Sequence, residues 1–146
     1  MPSVIDRFEG EYEFLSNFYA HEFTYRHQTW KTSEHAFQAM KAKTAHDREL
    51  VRAQVTPYLA KRVGRSIERR PDWETVKLHF MHNIVLSKFT SGPEIGQLLL
   101  STRNAELIEG NNHGDTFWGT VDGQGLNHLG TILMQVRARL RLKLKL

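Results

Sequence analysis

The spacing of apolar residues divides the chain into a strand-like opening followed by a series of helices. Residues 12–30 are rich in aromatic and β-branched types, and Phe23, Tyr25 and His27 alternate with Thr24 and Arg26, the period-two pattern of a strand or hairpin. An irregular run, Leu15-Ser16-Asn17-Phe18-Tyr19, precedes that pattern. From Thr32 the period lengthens to that of a helix. Thr32 is placed to cap a first helix through Glu34, Phe37, Gln38, Met40 and Lys41, and Thr44 to cap a second with Asp47 three residues on. Thr56-Pro57 starts a third helix, with Gly64 in position to end it. Asp72 opens a longer segment to Phe89, where Val76, Phe80 and Ile84 recur every four residues and mark one buried face. Ser91-Gly92-Pro93 interrupts the pattern before a short helix ending in Leu98-Leu99-Leu100. Leu107-Ile108 supplies a short strand, and Leu129, Leu133, Val136 and Leu140 stripe a closing helix. The pattern predicts an α+β fold, mostly helical with a few short strands.

Composition narrows the function classes. With 146 residues, 40% of them hydrophobic, the chain suits one domain over 1–146 with its own core, without linker or repeat. The lack of any cysteine excludes a disulfide scaffold, an iron–sulfur site and thiol chemistry. His79 and His82 stand three apart without a third ligand in view, so no metal is expected. No P-loop pattern occurs, and no apolar run approaches the roughly 20 residues of a membrane span. The N-terminal residues Met1-Pro2-Ser3-Val4-Ile5-Asp6-Arg7 do not form a signal peptide, and a cytoplasmic protein is expected. The formal charge of +4 is unevenly spread. Arg137, Arg139, Arg141, Lys143 and Lys145 contribute five positive charges, leaving 4 − 5 = −1 for residues 1–136. The basic stretch 137–146 is read as a solvated helix end whose cations suit the macrodipole.

Three groups of residues could carry chemistry. Glu34, Gln38 and Lys41 fall at i, i+4 and i+7 on one helix face, bordered by Phe37; the set suits a general base or substrate clamp, and spacing alone favours a solvated face. Trp73, Trp118 and Asp115 offer flat rings for a heterocycle and a carboxylate for charge developing on a sugar; equally, the tryptophans suit a core and Asp115 an Asx turn. Asn17 and Asn127 can bond a ligand or cap and turn the chain. Six of the ten glycines lie within residues 110–130, a loop long enough to suggest function.

Several blocks together resemble one known family. Trp30-Lys31-Thr32-Ser33-Glu34-His35-Ala36-Phe37-Gln38-Ala39-Met40-Lys41 is similar to its W-x-T-S/A-E-H-x-F-Q-x-x-K block, and Phe14-Leu15-Ser16-Asn17-Phe18 to the segment before it. Gly64-Arg65, Arg70, Asp72-Trp73, Met81 and Lys88-Phe89 fit its middle. Leu107-Ile108-Glu109, Asp115-Thr116-Phe117-Trp118-Gly119 and Gly125-Leu126-Asn127-His128-Leu129-Gly130 fit its last third. The chain resembles the NADAR, or YbiA-type, family of N-glycosidases over nearly its whole length. It departs at Arg26-His27-Gln28, where the family often carries Asp-Gly.

The resemblance implies cleavage of the N-glycosidic bond between a ribose, as phosphoribose or ADP-ribose, and an aminopyrimidine or guanine-type base. Such bonds occur in intermediates of riboflavin synthesis and in ADP-ribosylated guanosine. It implies Glu34, Asp115 and Lys41 as catalytic residues, and Asn17, Phe18, Gln38, Trp73, Trp118 and Asn127 as substrate-binding ones. No cofactor or metal is implied. The partners are a small phosphoribosyl or ADP-ribosyl substrate, ADP-ribosylated nucleic acid as a further one, and no membrane. Two routes are open: a carboxylate that activates water, or Lys41 attacking C1′ of the ring-opened sugar, which requires a depressed lysine pKa. Arg65, Arg70 and Lys88 are candidates for the phosphate contact, each more simply an exposed helix charge. The competing readings are a non-catalytic domain for ADP-ribose or nucleotide-like ligands and a nucleic-acid-binding module whose affinity falls steeply with salt.

Overall fold

The computed structural model describes residues 2–144. Along the chain come β1 (Val4–Ile5), a 3-10 helix (Gly10–Leu15), β2 (Phe23–Tyr25), β3 (Gln28–Trp30), α1 (Ser33–Met40), α2 (Ala45–Arg52), α3 (Pro57–Ser66), α4 (Trp73–Phe89), α5 (Pro93–Ser101), β4 (Glu106–Leu107) and α6 (His128–Leu144). This is the expected α+β arrangement. The residues gather into two compact units, one formed by Asn17–Lys88 and the other by the segment up to Ser16 together with the chain from Phe89 onward. No helix among the described residues is long and apolar enough to cross a membrane.

In the Asn17–Lys88 unit, β2 and β3 form an antiparallel hairpin in the register Phe23↔Trp30, Thr24↔Thr29 and Tyr25↔Gln28. His27, expected to extend the strand, instead turns it. Arg26 and His27 take φ of 52° and 64°, the left-handed pair that matches strand twist across a two-residue loop. Trp30 is fully buried and its Nε1–H donates to the Tyr25 carbonyl at 2.9 Å, locking the hairpin base. The three threonine caps form as expected: Thr32, Thr44 and Thr56 accept from the backbone N–H groups of His35, Asp47 and Leu59. Every residue of α1 is buried, and α2, α3 and β3 pack around it.

Gly64 does not end α3, which continues to Ser66. A Cβ at position 64 would lie 2.2 Å from Gln38 Oε1, so this glycine lets α3 approach α1. The helix stops where Ile67 turns extended, and the following residues run beside the end of α1. There Ala42 bridges Arg69, the Lys43 N–H donates to the Glu68 carbonyl at 3.0 Å, and the Arg70 N–H donates to the Lys41 carbonyl at 2.9 Å. In α4 the predicted face is buried at Phe80 and Ile84 and half-buried at Val76, widened by Trp73, Met81 and Val85.

In the other unit, β1 and β4 pair in parallel through Val4↔Glu106 and Ile5↔Leu107, with β4 beginning one residue earlier than its apolar pair suggested. Leu129, Leu133 and Val136 of α6 are buried, with Leu140 at the margin. The basic end of α6 departs from expectation at its first member. Arg137 is buried and donates from Nη1 to Thr102 Oγ1 at 2.9 Å, beside the last turn of α5, where a cation suits unsatisfied carbonyls. Arg141 donates to the Arg103 carbonyl, Arg139 and Lys143 are exposed, and Lys145 lies outside the described residues. The glycine-rich segment folds on itself through bridges Gly110↔Thr120 and Val121↔Gln124.

Non-glycine residues in the left-handed region cost about 1–2 kcal/mol each. His27→Gly should relieve about 1 kcal/mol and raise Tm by about 2–4 °C in a thermal melt. An unchanged or lower Tm would show that the His27 side chain offsets the strain.

Candidate active site

The polar residues of α1 are not on a solvated face. Glu34 and Gln38 are 6% and 7% exposed. Ionised carboxylates enter a protein interior only with partners. Gln38 Nε2 donates to Glu34 Oε2 at 2.8 Å, and the i, i+4 spacing on one helix makes that contact possible. Gln38 Oε1 is buried without a hydrogen bond and lies against Gly64. At the other end of α1, Asn17 holds the helix start. Its carbonyl accepts from the Glu34 N–H at 3.0 Å, its Oδ1 accepts from Ser33 Oγ at 2.9 Å, and its Nδ2 donates to Met81 Sδ at 3.6 Å.

Lys41 follows α1 as its C-cap and is half-buried. Burial, above all, holds its amine below the usual lysine range, and the positive charge of Arg69 adds to the effect. Glu34 opposes the shift, while Arg65 and Lys61 reinforce it. The amine therefore sits within electrostatic reach of one carboxylate and three cations. An amine so placed is neutral more often than an exposed one, and a neutral lysine is a nucleophile or a base.

The other residues expected in this unit have more structural settings. Trp73 is 4% exposed at the start of α4, with its ring 5.0 Å from Phe37 and 6.1 Å from Phe80, a packing anchor behind α1. Phe18 stands edge-on to Tyr58 at 4.9 Å, with Lys61 Nζ 5.8 Å from its ring centre. Of the phosphate candidates, Arg65 is exposed, and Arg70 is bound by Asp72 at 2.6 Å and 3.2 Å with its guanidinium over Phe80. Lys88 is not the exposed charge expected of it. It is fully buried, its Nζ is 5.7 Å from the Tyr19 ring centre, and burial drops its amine to about 7.

In the second unit, Asp115 makes the Asx turn. Its Oδ1 accepts from the N–H groups of Phe117 at 3.1 Å and Trp118 at 2.9 Å. Asn111 brackets it, donating to the Asp115 carbonyl at 2.9 Å and accepting from the Asp115 N–H at 3.1 Å. Trp118 stands edge-on to Phe117 at 4.8 Å and to His128 at 6.4 Å. Asn127, at φ 53°, is a staple: Oδ1 accepts from the Glu109 N–H and Nδ2 donates to the Leu107 carbonyl, both at 3.0 Å. Gly119 is required here, because a Cβ would meet the Glu109 carbonyl at 2.0 Å. The described residues contain no cluster of three potential metal ligands.

Sequence reasoning missed Asn111, Lys61 and Arg69. A loop asparagine carries no distinguishing pattern. The cations carry one: residues 53–70 hold Lys61, Arg62, Arg65, Arg69 and Arg70 against Glu68 alone, 5 − 1 = +4, as much as the whole chain. Averaging over residues 1–136 concealed it.

Two substitutions test this geometry. Alanine in place of a helical glycine ordinarily stabilises by about 1 kcal/mol. Gly64→Ala should instead destabilise by about 1–3 kcal/mol through overpacking against Gln38, seen as a lower midpoint in urea. A rise in the midpoint would mean that α3 and α1 have room to part. The second concerns Lys88. Titrating near 7 when folded, it binds fewer protons than the unfolded lysine between that pH and about 10.5. Its penalty is thus full below pH 7 and shrinks as pH rises, by up to ~1.4 kcal/mol per unit. Lys88→Met should stabilise most at pH 6 and progressively less toward pH 9, and a gain that does not vary with pH would contradict the shifted amine.

Comparison with known proteins places the chain. A NADAR domain model matches residues 6–141. N-glycosidase YbiA of Escherichia coli strain K12 is 38% identical over 136 residues, covering 91% of this chain and 84% of that one. An N-glycosidase of Nostoc punctiforme is 40% identical over 136 residues, covering 89% and 86%. The chloroplastic riboflavin biosynthesis protein PYRR of Zea mays is 36% identical over 125 residues, which cover 77% of this chain and 20% of that protein. The NMR structure of E. coli YbiA superposes with a TM-score of 0.86 at 37% identity, covering 98% of this chain and 88% of that one. The chain belongs to the NADAR domain family.

Proposed function

We propose that the chain is an N-glycosidase that hydrolyses the bond between a ribose and an amino-substituted heterocycle, with Lys41 as the attacking amine and Glu34 as its proton carrier. The enzyme class rests on the YbiA-type relatives. The substrate class, a phosphoribosylated aminopyrimidine of riboflavin synthesis, draws on the similarity to the riboflavin biosynthesis protein of maize. Sugar–guanine bonds of ADP-ribosylated guanosine are the second substrate of the same chemistry. The observation that carries the role of Lys41 is its half-buried amine, held below the usual lysine range within reach of Glu34.

An N-riboside is a masked aldehyde. The base nitrogen pushes its electron pair toward C1′ while the bond from C1′ to the ring oxygen breaks and that oxygen takes a proton from solvent. Neutral Lys41 adds to C1′, and its nitrogen passes a proton to Glu34. Glu34 returns that proton to the base nitrogen, the C1′–N bond breaks, and the free base departs, leaving a Schiff base between Lys41 and C1′. Water adds to C1′ and returns one proton to solvent, its second proton passes to the Lys41 nitrogen as that nitrogen leaves, and the aldehyde sugar recloses. Gln38 fixes Glu34 Oε2, so the carboxylate is held for transfer without reorganisation.

Mass spectrometry of purified protein incubated with a phosphoribosyl-aminopyrimidine, and separately with ADP-ribosylated guanosine, tests this reading. Release of free base is expected, falling about 10²–10⁴-fold in Glu34→Gln. Lys41→Ala should abolish turnover, and borohydride should trap a sugar on Lys41 in the wild type. Full activity of Lys41→Ala without a trapped adduct would return the mechanism to direct attack by water. Binding without release would make the chain a ligand sensor.

A further inference from the structure

We propose that Lys61, Arg65 and Arg69 are specificity-determining residues that hold the phosphate of the substrate beside Lys41, so that phosphorylated ribosides are cleaved in preference to unphosphorylated ones. The proposal rests on the N-glycosidase reading for the substrate, and on the geometry below for the anion.

Lys61 and Arg65 are one turn apart on α3, at i and i+4, and so share a face. Arg69 is brought alongside by the backbone, since it bridges Ala42 while the Arg70 N–H donates to the Lys41 carbonyl at 2.9 Å. All three cations act on the Lys41 amine. Among the described residues no carboxylate is paired with Lys61 or Arg65, and Arg69 meets Glu74 only at 3.7 Å in an exposed pair of little strength. Arg70, next along the chain, is already bound by Asp72, and Lys43 pairs with Glu68 at 3.7 Å.

The α2 helix shows what an ordinary solvated face looks like. Its Arg48 and Arg52 are interleaved with Asp47 and Glu49, and Arg52 pairs with Glu49 at 3.0 Å. No acid occurs from Ala53 to Ile67, so the cations of α3 repel one another and Lys41, with Glu34 the one carboxylate among the described residues that acts on that amine. Such repulsion is relieved by a multiply charged anion, and guanidinium forks suit phosphate oxygens. Tyr58, 75% exposed, and Phe18 flank Lys61 and supply the apolar margin a sugar or base needs.

The test compares wild type, the Lys61→Gln/Arg65→Gln double variant and an exposed control on α6, Arg139→Gln. First, kcat and KM are measured on a phosphoribosyl-aminopyrimidine and on its dephosphorylated riboside. The double variant should lose about 10–100-fold in kcat/KM on the phosphorylated substrate, mainly through KM, and much less on the riboside, where only the loss of the two charges acting on the Lys41 amine is felt. Equal losses on both substrates, or none, would overturn the proposal. Second, titration calorimetry with inorganic pyrophosphate reads the anion site without any reaction. Binding by wild type and Arg139→Gln that weakens at least about tenfold in the double variant supports the assignment. Absent binding in the wild type, or unchanged binding in the double variant, overturns it. Pyrophosphate binding with no cleavage of any riboside would sink the N-glycosidase reading while leaving the anion site standing. Stronger competition by a single-stranded oligonucleotide, lost in the same variant, would reassign these cations to a polynucleotide and overturn the small-substrate assignment.

Discussion

Burying all eight residues of α1 removes Glu34, His35 and Gln38 from water, and the surrounding chain has to answer each of them. His35 is answered at each of its ring nitrogens. Thr32 Oγ1 accepts from the His35 N–H, so its own hydroxyl hydrogen points to Nδ1 at 2.8 Å, leaving Nε2–H to donate to the Gln54 carbonyl at 2.9 Å. The ring is thereby held neutral in one tautomer, in keeping with burial lowering its pKa. Glu34 is answered by Gln38, and Gln38 fits because residue 64 has no side chain. The loop after α2 is tied to this helix through His35, and α3 lies against it where Gln38 meets Gly64.

Two lysines of the same unit show how burial can be put to different ends. Lys88 is sealed beneath the Tyr19 ring and lowers the pKa of His21 through its charge, after burial itself. Lys41 is only half-buried, and beyond that burial its environment is set by a carboxylate of α1 and by cations of α3 and of the chain that follows it. A fully enclosed amine can alter stability and neighbouring titrations. A half-enclosed one can also meet a substrate, and this sets Lys41 apart from Lys88.

Much of the helical layout was legible because threonine caps are strong local signals: Thr32, Thr44 and Thr56 mark helix starts in both sequence and structure. Gly64 was misread because a glycine that stops a helix and one that admits a neighbour look alike until the neighbour is known. His27 was misread because the turn it occupies normally carries glycine, and the alternation simply ran on past Tyr25. The α1 face was misread for a deeper reason. Glu34, Gln38 and Lys41 have the spacing of a solvated stripe, and spacing does not report what lies opposite it. β1 left no trace, since two residues carry no period. The family, by contrast, was legible from motifs spread through the chain, and the match over residues 6–141 agrees with them.

The parallel pairing of β1 with β4 imposes an order on biosynthesis. Val4 and its partner Glu106 are 106 − 4 = 102 residues apart, whereas Asn17–Lys88 is an uninterrupted stretch. At about 5–20 residues per second a ribosome needs roughly 5–20 s to cover that separation. Throughout that interval Val4 and Ile5 wait as an unmatched edge while the stretch bearing α1 and Lys41 has all its own residues in hand. β1 is made long before its partner β4, and the stretch that bears α1 and Lys41 is complete before that pairing can form.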